Sequence, residues 1–237
     1  MWLLLLLQVV LYCFGSPALC HDDHHFHPRT SHDQTIISEP TLSINGVSFG
    51  TRAYWMRQAN LALKTPCPYA AFGSVIVNHT GSSELGELVC TGANSGSSTG
   101  NPTLHGEMSA ISNCTRILTD ASGPYKLSPS AAIAAFTDLT LYTNAESCPM
   151  CASAIRWAGF REYVYGSTID ALVAKGWGQI RISSVEVFRQ SFDLPNPSRL
   201  IAGVLTNETD PYFFWQNDPT YPCPSGCSRV GGSCKAD

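Results

Sequence analysis

The chain has 237 residues, of which 44% are hydrophobic and 14% are charged, a content that suits one domain with tails rather than two independent cores. Its net charge is −4, and its lysines and arginines are scattered along the chain. Proteins that bind nucleic acids neutralise phosphates with clustered basic residues, so a nucleic acid polymer is not the favoured partner.

The first twenty residues have the composition of a secretory signal peptide. An apolar run over residues 2–14 is too short to span a bilayer comfortably, and small residues, among them Ala18, follow it. No lysine or arginine precedes the run, so an uncleaved signal anchor is the alternative. We expect a signal peptide over 1–20, a polar, His-rich leader over 21–50, and a secreted, extracellular protein with no membrane span after cleavage.

Hydrophobic periodicity predicts an alternation of helices and strands between residues 51 and 190. The predicted helices cover 51–63, 104–118, 149–158 and 169–174, and the predicted strands cover 72–77, 87–91, 139–143, 162–166 and, at a sheet edge, 185–187. The first two strands should be antiparallel, because their connection is too short for a crossover helix. The strand–helix–strand order around 149–158 predicts a parallel, right-handed crossover. We therefore expect one α/β domain over 51–190 and a Cys-rich extension over 191–237.

The ten cysteines are consistent with an exported protein. Cys13 lies in the predicted signal peptide, and Cys148 and Cys151 form a C-x-x-C motif. Signal cleavage after Cys20 would leave an even set for disulfides, which consists of Cys67, Cys90, Cys114, Cys223, Cys227 and Cys234. The sequence does not select their connectivity. Three of them lie in the Pro- and Gly-rich extension, which we expect to be held by disulfides because it has little hydrophobic pattern.

Three Asn-x-Thr sequons agree with export. They begin at Asn78, Asn113 and Asn207. Behind a signal peptide, such tripeptides predict N-linked glycans at surface positions.

Two short motifs predict a metal centre. His105-Gly106-Glu107 and Cys148-Pro149-Met150-Cys151 each stand at the start of a predicted helix. Proline suits the first helical position, so Cys148 becomes the cap residue and Cys151 follows one turn later. Backbone N–H groups at a helix start favour thiolates, and one imidazole with two thiolates leaves the fourth position of a catalytic zinc site open. Glu107 is then placed to carry protons rather than to bind the metal.

These motifs and their flanking segments resemble the cytidine deaminase-like superfamily, and within it the branch of guanine deaminases and tRNA adenosine deaminases. The resemblance covers roughly residues 52–178, and it is carried by 72–77, 101–108, 141–151 and 154–158. The Cys-Pro-Met-Cys motif followed by Ala-Ile-x-Trp-Ala is most similar to bacterial-type guanine deaminases.

The resemblance implies a three-layer α/β/α cytidine deaminase-like fold with a mixed sheet of about five strands. It implies Zn²⁺ held by His105, Cys148 and Cys151, with Glu107 as the proton shuttle. The implied reaction is hydrolytic deamination of a cyclic amidine in a nucleobase or nucleoside, guanine-type favoured, in which an activated hydroxide attacks and ammonia leaves. The positions that match substrate-binding residues are Asn94, Phe72 and Trp157. The resemblance also allows a homodimer.

Some alternatives stay open on the residues alone. Phe72 and Trp157 are also explained as core side chains, and Asn94 as a turn cap. The chain departs from the family in Gly106, where alanine is usual, and in Ser147, where proline is usual, which puts the identity of the substrate in question.

Two other classes of function fit the sequence. One is a secreted binding or effector protein that keeps the deaminase scaffold without catalysis. The other is a thiol oxidoreductase in which Cys148 and Cys151 form a disulfide. Ammonia release distinguishes the first from a deaminase, and metal analysis with thiol counting distinguishes the second.

Overall fold

The computed structural model describes residues 43–237. The predicted signal peptide, Cys13 and Cys20 lie outside the described residues, as does most of the predicted leader. The last residues of that leader form a small hairpin of β1 (Ser43–Ile44) and β2 (Val47–Ser48), which leads directly into the first helix. Within the described residues, no helix has the length and apolar character that crossing a bilayer requires.

Helices and strands alternate through most of the chain. The longer helices are α1 (Phe49–Leu61), α2 (Gly106–Thr119), α3 (Pro129–Ala135), α4 (Pro149–Ala158), α5 (Ile169–Ala174) and α6 (Ser184–Gln190). The remaining strands are β3 (Gly73–Asn78), β4 (Glu87–Ala93), β5 (Leu139–Ala145), β6 (Glu162–Ser167), β7 (Arg199–Ile201), β8 (Cys227–Val230) and β9 (Ser233–Ala236). One-turn helices cover Gly96–Thr99, Thr206–Thr209 and Pro211–Phe214, and a 3-10 helix covers Phe136–Asp138.

The central sheet has five strands in the order β4-β3-β5-β6-β7. Strand β3 is antiparallel to both β4 and β5, whereas β5, β6 and β7 run parallel to one another. The predicted mixed sheet, its antiparallel first pair and its parallel crossover through α4 are therefore confirmed.

The predicted edge strand over 185–187 is wrong, because these residues lie inside helix α6. Ser183 caps this helix, and its hydroxyl accepts the N–H of Glu186 at 3.2 Å. A serine followed three residues later by glutamate is a helix-start signal, and here it overrides a short apolar alternation. The fifth strand is β7 instead, so residues beyond 190 complete the sheet.

The sheet carries helices on both faces, which confirms the predicted three-layer α/β/α fold. Neighbouring residues of β3 serve opposite layers, as the two-residue period of a strand requires. Val75 lies in a buried cluster with Met56 of α1. Ile76 lies in another cluster with Ala110 of α2 and Ile155 of α4.

Three disulfides involve all six cysteines of the predicted even set. Cys90–Cys114 joins the edge strand β4 to helix α2, and Cys223–Cys234 closes the C-terminal hairpin of β8 and β9. Cys67–Cys227 ties that hairpin to the segment before β3. The C-terminal extension is thus cross-linked within itself and to the domain, as expected from its composition.

A buried ion pair links helix α1 to the start of β6. Arg52 Nη1 lies 2.9 Å from Glu162 Oε2, and both side chains are at most 3% exposed. Arg52 also donates to the carbonyl of Ile44 at 2.9 Å, and the side-chain amide of Asn45 donates to Glu162. This network fixes the N-terminal hairpin and α1 to the sheet.

We expect Arg52→Ala to lower the free energy of unfolding by about 3–5 kcal/mol, because it leaves the Glu162 carboxylate buried without its cation. The matched control is Arg57→Ala in the same helix, since Arg57 pairs with Glu208 at the surface, where the side chains are 53% and 35% exposed. That variant should lose at most about 1 kcal/mol. Urea unfolding with the disulfides intact measures both, and equal losses would contradict this account.

Candidate active site

Two helix starts bring the metal-binding motifs together on one face of the sheet. His105 is the cap residue of α2, and Cys148 is the cap residue of α4, with Pro149 in the first helical position. Both residues have extended backbone geometry, and neither side chain forms a capping hydrogen bond with the helix that follows. Cys151 lies one turn into α4 and is buried.

The three side chains of the predicted ligand set converge. The Nδ1 atom of His105 lies 3.6 Å from the sulfur of Cys148 and 3.6 Å from the sulfur of Cys151. All three potential ligand atoms lie within 4.8 Å of one another. Both cysteines are free thiols. The structure therefore does not contain the Cys148–Cys151 disulfide that the thiol oxidoreductase alternative assumes.

A hydrogen bond between the two sulfurs lowers the pKa of Cys148 and raises the pKa of Cys151. The pKa of Cys148 is lowered to about 4, chiefly because the Cys151 thiol hydrogen-bonds to it, with a further contribution from His105. The hydrogen bond between His105 and Cys148 raises the pKa of His105. Thiolate is the form of cysteine that binds metals. One imidazole and two cysteine sulfurs therefore fit Zn²⁺ and leave a fourth position for a reactant.

Glu107 lies in the first turn of α2, next to the ligands. Glu107 is only 4% exposed. Burial raises the pKa of its carboxyl, since removal from water disfavours the charged form. The carboxyl therefore sits beside the metal cluster in surroundings that favour taking up a proton.

Two glycines allow α2 to begin this close to the sheet. A Cβ at Gly92 of β4 would collide with the backbone of Ala110 in α2. A Cβ at Gly106 would lie 2.7 Å from the carbonyl oxygen of Phe72. The departure from alanine at Gly106 therefore has a steric cause, which is the approach of the Phe72 backbone to the helix start.

A cavity of about 450 Å³ opens beside the cluster. It is lined by Phe72, Asn94, His105, Glu107, Glu146, Cys148, Trp177, Gly178, Gln179 and Ile180. Two of the three predicted substrate-binding positions, Phe72 and Asn94, thus line the cavity. The Asn94 carboxamide accepts the N–H of Gly96 at 3.3 Å, so it also serves the turn, as its alternative interpretation predicts.

Comparisons with known proteins agree with this arrangement. The family described as "Cytidine and deoxycytidylate deaminase zinc-binding region" matches residues 50–167. The chain belongs to this zinc-dependent deaminase family. The match includes the three ligands and Glu107, and it ends where β6 ends.

Three individual relatives are between 17% and 29% identical in sequence to this chain. The guanine deaminase of Bacillus subtilis is 29% identical over 149 residues, which cover 62% of this chain and 80% of that protein. Among solved structures, the guanine deaminase of Nitrosomonas europaea is 17% identical with a TM-score of 0.48, covering 75% of this chain and 86% of the other. A tRNA:A34 deaminase is 20% identical with a TM-score of 0.47, covering 67% and 98%.

The prediction that Trp157 lines the pocket of this deaminase is wrong. Trp157 is 76% exposed, and it does not line the cavity. Helix α4 turns 100° per residue, so the face that carries Cys151 and Ile155 inward turns Trp157 to the opposite side. Trp177 supplies the aromatic wall instead.

The sequence did not predict the part of the deaminase cavity that is formed by residues after 167, where the family match ends. Trp177 stacks edge to face on Phe72, with ring centroids 5.5 Å apart, and its indole N–H donates to the carbonyl of Phe213 at 3.0 Å. The buried Glu146 accepts the N–H groups of Ile169 and Ser184 at 2.9 and 2.8 Å, which fixes both ends of the segment that carries Trp177. A tryptophan between Gly176 and Gly178 was the one local signal of an aromatic loop.

We expect Cys151→Ser to lose the bound zinc, because it removes a buried sulfur ligand from the three-ligand set. Metal analysis of the purified protein measures the zinc content. Removal of zinc by a chelator should lower the melting temperature of the wild type but not of Cys151→Ser, since ligand binding stabilises the folded state. Ser153→Ala in the same helix is the control, and full zinc occupancy in Cys151→Ser would contradict the ligand assignment.

Proposed function

We propose that this deaminase acts on a nucleobase or nucleoside, with a guanine-type ring favoured, and that Glu107 carries the protons. The observation that carries the proposal is a buried carboxyl beside the ligand cluster, at the end of a cavity with aromatic and amide walls. The guanine deaminase relative from Bacillus subtilis supports the choice of ring.

The chemistry is hydrolytic. His105, Cys148 and Cys151 would hold a zinc ion, and the chemistry that it would supply there is a lower pKa for a water molecule, so that a nucleophile is available at neutral pH. Glu107 takes the proton of this water as its oxygen forms a bond to the amine-bearing ring carbon. Glu107 then returns this proton to the amino nitrogen, and the carbon–nitrogen bond breaks as ammonia leaves. The second proton of the water passes from the added oxygen to the ring nitrogen, which leaves a ring carbonyl.

The cavity walls suit a flat, hydrogen-bonding ring. Phe72 and Trp177 present aromatic surface against which such a ring can lie. Asn94 offers an amide that can both donate and accept at the ring edge. A volume of about 450 Å³ lies within the usual range for small-molecule sites, about 300–1,000 Å³.

We expect Glu107→Gln to retain zinc and to lose about 10²–10⁴-fold in turnover, because the amide cannot take up and return a proton. Ammonia release is measured on guanine, guanosine, cytosine, cytidine, adenine and adenosine. Glu208→Gln, at the surface, is the matched control. Full activity of Glu107→Gln would reject the proton-shuttle role. Absence of ammonia release by the wild type on the whole panel would reject the proposed substrate class and favour a non-catalytic binding protein.

The proposal includes secretion, N-glycosylation and a homodimer. Asn207 is exposed and Asn78 is half-buried. The side-chain oxygen of Asn78 accepts the backbone N–H and the hydroxyl of Thr80 at 2.8 and 2.7 Å, so these contacts do not use the nitrogen to which a glycan would be attached. Asn113 instead donates to the Thr91 carbonyl at 2.9 Å, so we expect less modification there. The exposed Trp157 provides apolar surface for a second copy of the chain.

We expect eukaryotic expression of the full chain to yield secreted protein that lacks residues 1–20 and carries N-glycans. Light scattering of the secreted protein should give the mass of two chains, and enzymatic removal of the glycans should lower the mass per chain. Trp157→Ser tests the dimer surface, with Ile133→Ser on α3 as the control, since Trp157 and Ile133 are 76% and 68% exposed. Retention of the protein in cells, or a monomer before and after deglycosylation, would contradict the corresponding part of the proposal.

A further inference from the structure

Gln216 belongs to the C-terminal extension, outside the segment that the family model matches. Its half-buried side chain bonds backbone groups of two other segments. The side-chain oxygen accepts the N–H of Ala70 at 3.2 Å, and the side-chain nitrogen donates to the carbonyl oxygens of Pro68 at 3.2 Å and Tyr212 at 2.8 Å. A single side chain thus joins the extension to the peptide groups on both sides of Tyr69.

Ala70 has a backbone conformation that is costly for a residue with a Cβ. Its φ angle is +51°, in the left-handed region that favours glycine. Such a conformation persists only where the surrounding contacts impose it. Gln216 supplies contacts of this kind directly before Ala70, and Tyr69 packs on Trp215 with ring centroids 5.2 Å apart.

The carbonyl of Ala70 is where this turn meets the substrate cavity. It accepts the N–H of Phe72 at 2.8 Å, and the side-chain nitrogen of Asn94 lies 3.5 Å from it. The carbonyl of Phe72 in turn accepts the backbone N–H of Asn94 at 2.8 Å. Phe72 and Asn94 both line the cavity beside the metal ligands. The conformation of Ala70 therefore determines where one aromatic side chain and one amide of the cavity wall lie.

We propose that Gln216 is a positioning residue for substrate binding, which holds Ala70 in its strained conformation and so places Phe72 and Asn94 against the ring of the substrate. The inference rests on the proposed function, since it assumes that the ring binds in this cavity. Gln216 itself neither lines the cavity nor belongs to the metal cluster. Its effect is therefore on the affinity for the ring rather than on the chemical step.

The activity test compares Gln216→Ala with the wild type on the ring of the panel that the wild type deaminates fastest. We expect KM to rise about tenfold while kcat and the zinc content change less than about twofold, because a displaced cavity wall weakens binding of the ring. Asn217→Ala is the matched control, since this neighbouring carboxamide is exposed. An unchanged KM in Gln216→Ala, or a parallel loss of kcat and zinc, would overturn the positioning role.

A second substitution tests the route through Ala70. Glycine adopts the left-handed region without steric cost, so with Ala70→Gly the turn can keep its conformation without the contacts of Gln216. We expect Ala70→Gly to bring the KM of the Gln216→Ala variant back to within about threefold of the wild type. If glycine at position 70 does not lower the KM of Gln216→Ala, the route through Ala70 is wrong.

Hydrogen exchange tests the same contacts without a substrate. Mass spectrometry follows peptides that cover residues 67–74 in the wild type and in Gln216→Ala. We expect the amides of Ala70 and Phe72 to exchange at least about tenfold faster in the variant, because the first loses its acceptor and the second depends on the Ala70 carbonyl. Equal exchange in the two proteins would overturn the inference. If the wild type deaminates no ring of the panel, the proposed function fails, and the exchange rates still decide whether Gln216 holds this turn.

Discussion

The site depends on one close contact, that between the first turn of α2 and the two strands beneath it. Gly92 and Gly106 have no side chains, so the helix backbone lies directly against β4 and the Phe72 carbonyl. The Cys90–Cys114 disulfide joins the same strand and helix farther along. With the helix start held in this way, its cap residue His105 faces the sulfurs of α4, and Glu107 is buried beside them.

The second half of the cavity is built from residues after the family match, and long-range contacts hold it in place. The carboxylate of Glu146 binds backbone N–H groups on both sides of the segment that carries Trp177. Phe213, from a one-turn helix beyond the fifth strand, packs on both Phe72 and Trp177. The ligand cluster and the aromatic wall of the cavity therefore have separate origins in this chain, because the first comes from the family motifs and the second partly from later residues.

This separation explains what could be predicted from the sequence. His105, Cys148 and Cys151 could be placed because caps and a first-turn proline are local signals, and two helix starts on one face of a sheet bring them together. Trp177 and Glu146 could not, since their roles depend on contacts with distant segments. The prediction that Trp157 lines the cavity failed because agreement with a family motif does not show in which direction a side chain points. Helix α4 has one buried face, and Trp157 lies on the other. The strand predicted over 185–187 failed for a local reason, the unrecognised cap at Ser183.

Three buried glutamates have different surroundings, and the difference bears on the role proposed for Glu107. Among residues 43–237, Glu162 is paired with Arg52 at 2.9 Å, and Glu146 accepts two backbone N–H groups and the Ser184 hydroxyl. The oxygens of both carboxylates thus accept hydrogen bonds from strong donors. No lysine or arginine among the described residues forms an ion pair with Glu107, and burial raises its pKa. Unlike the other two glutamates, Glu107 has no arginine and no backbone N–H of another segment as a fixed partner among the described residues, which is compatible with the proton transfer proposed for it.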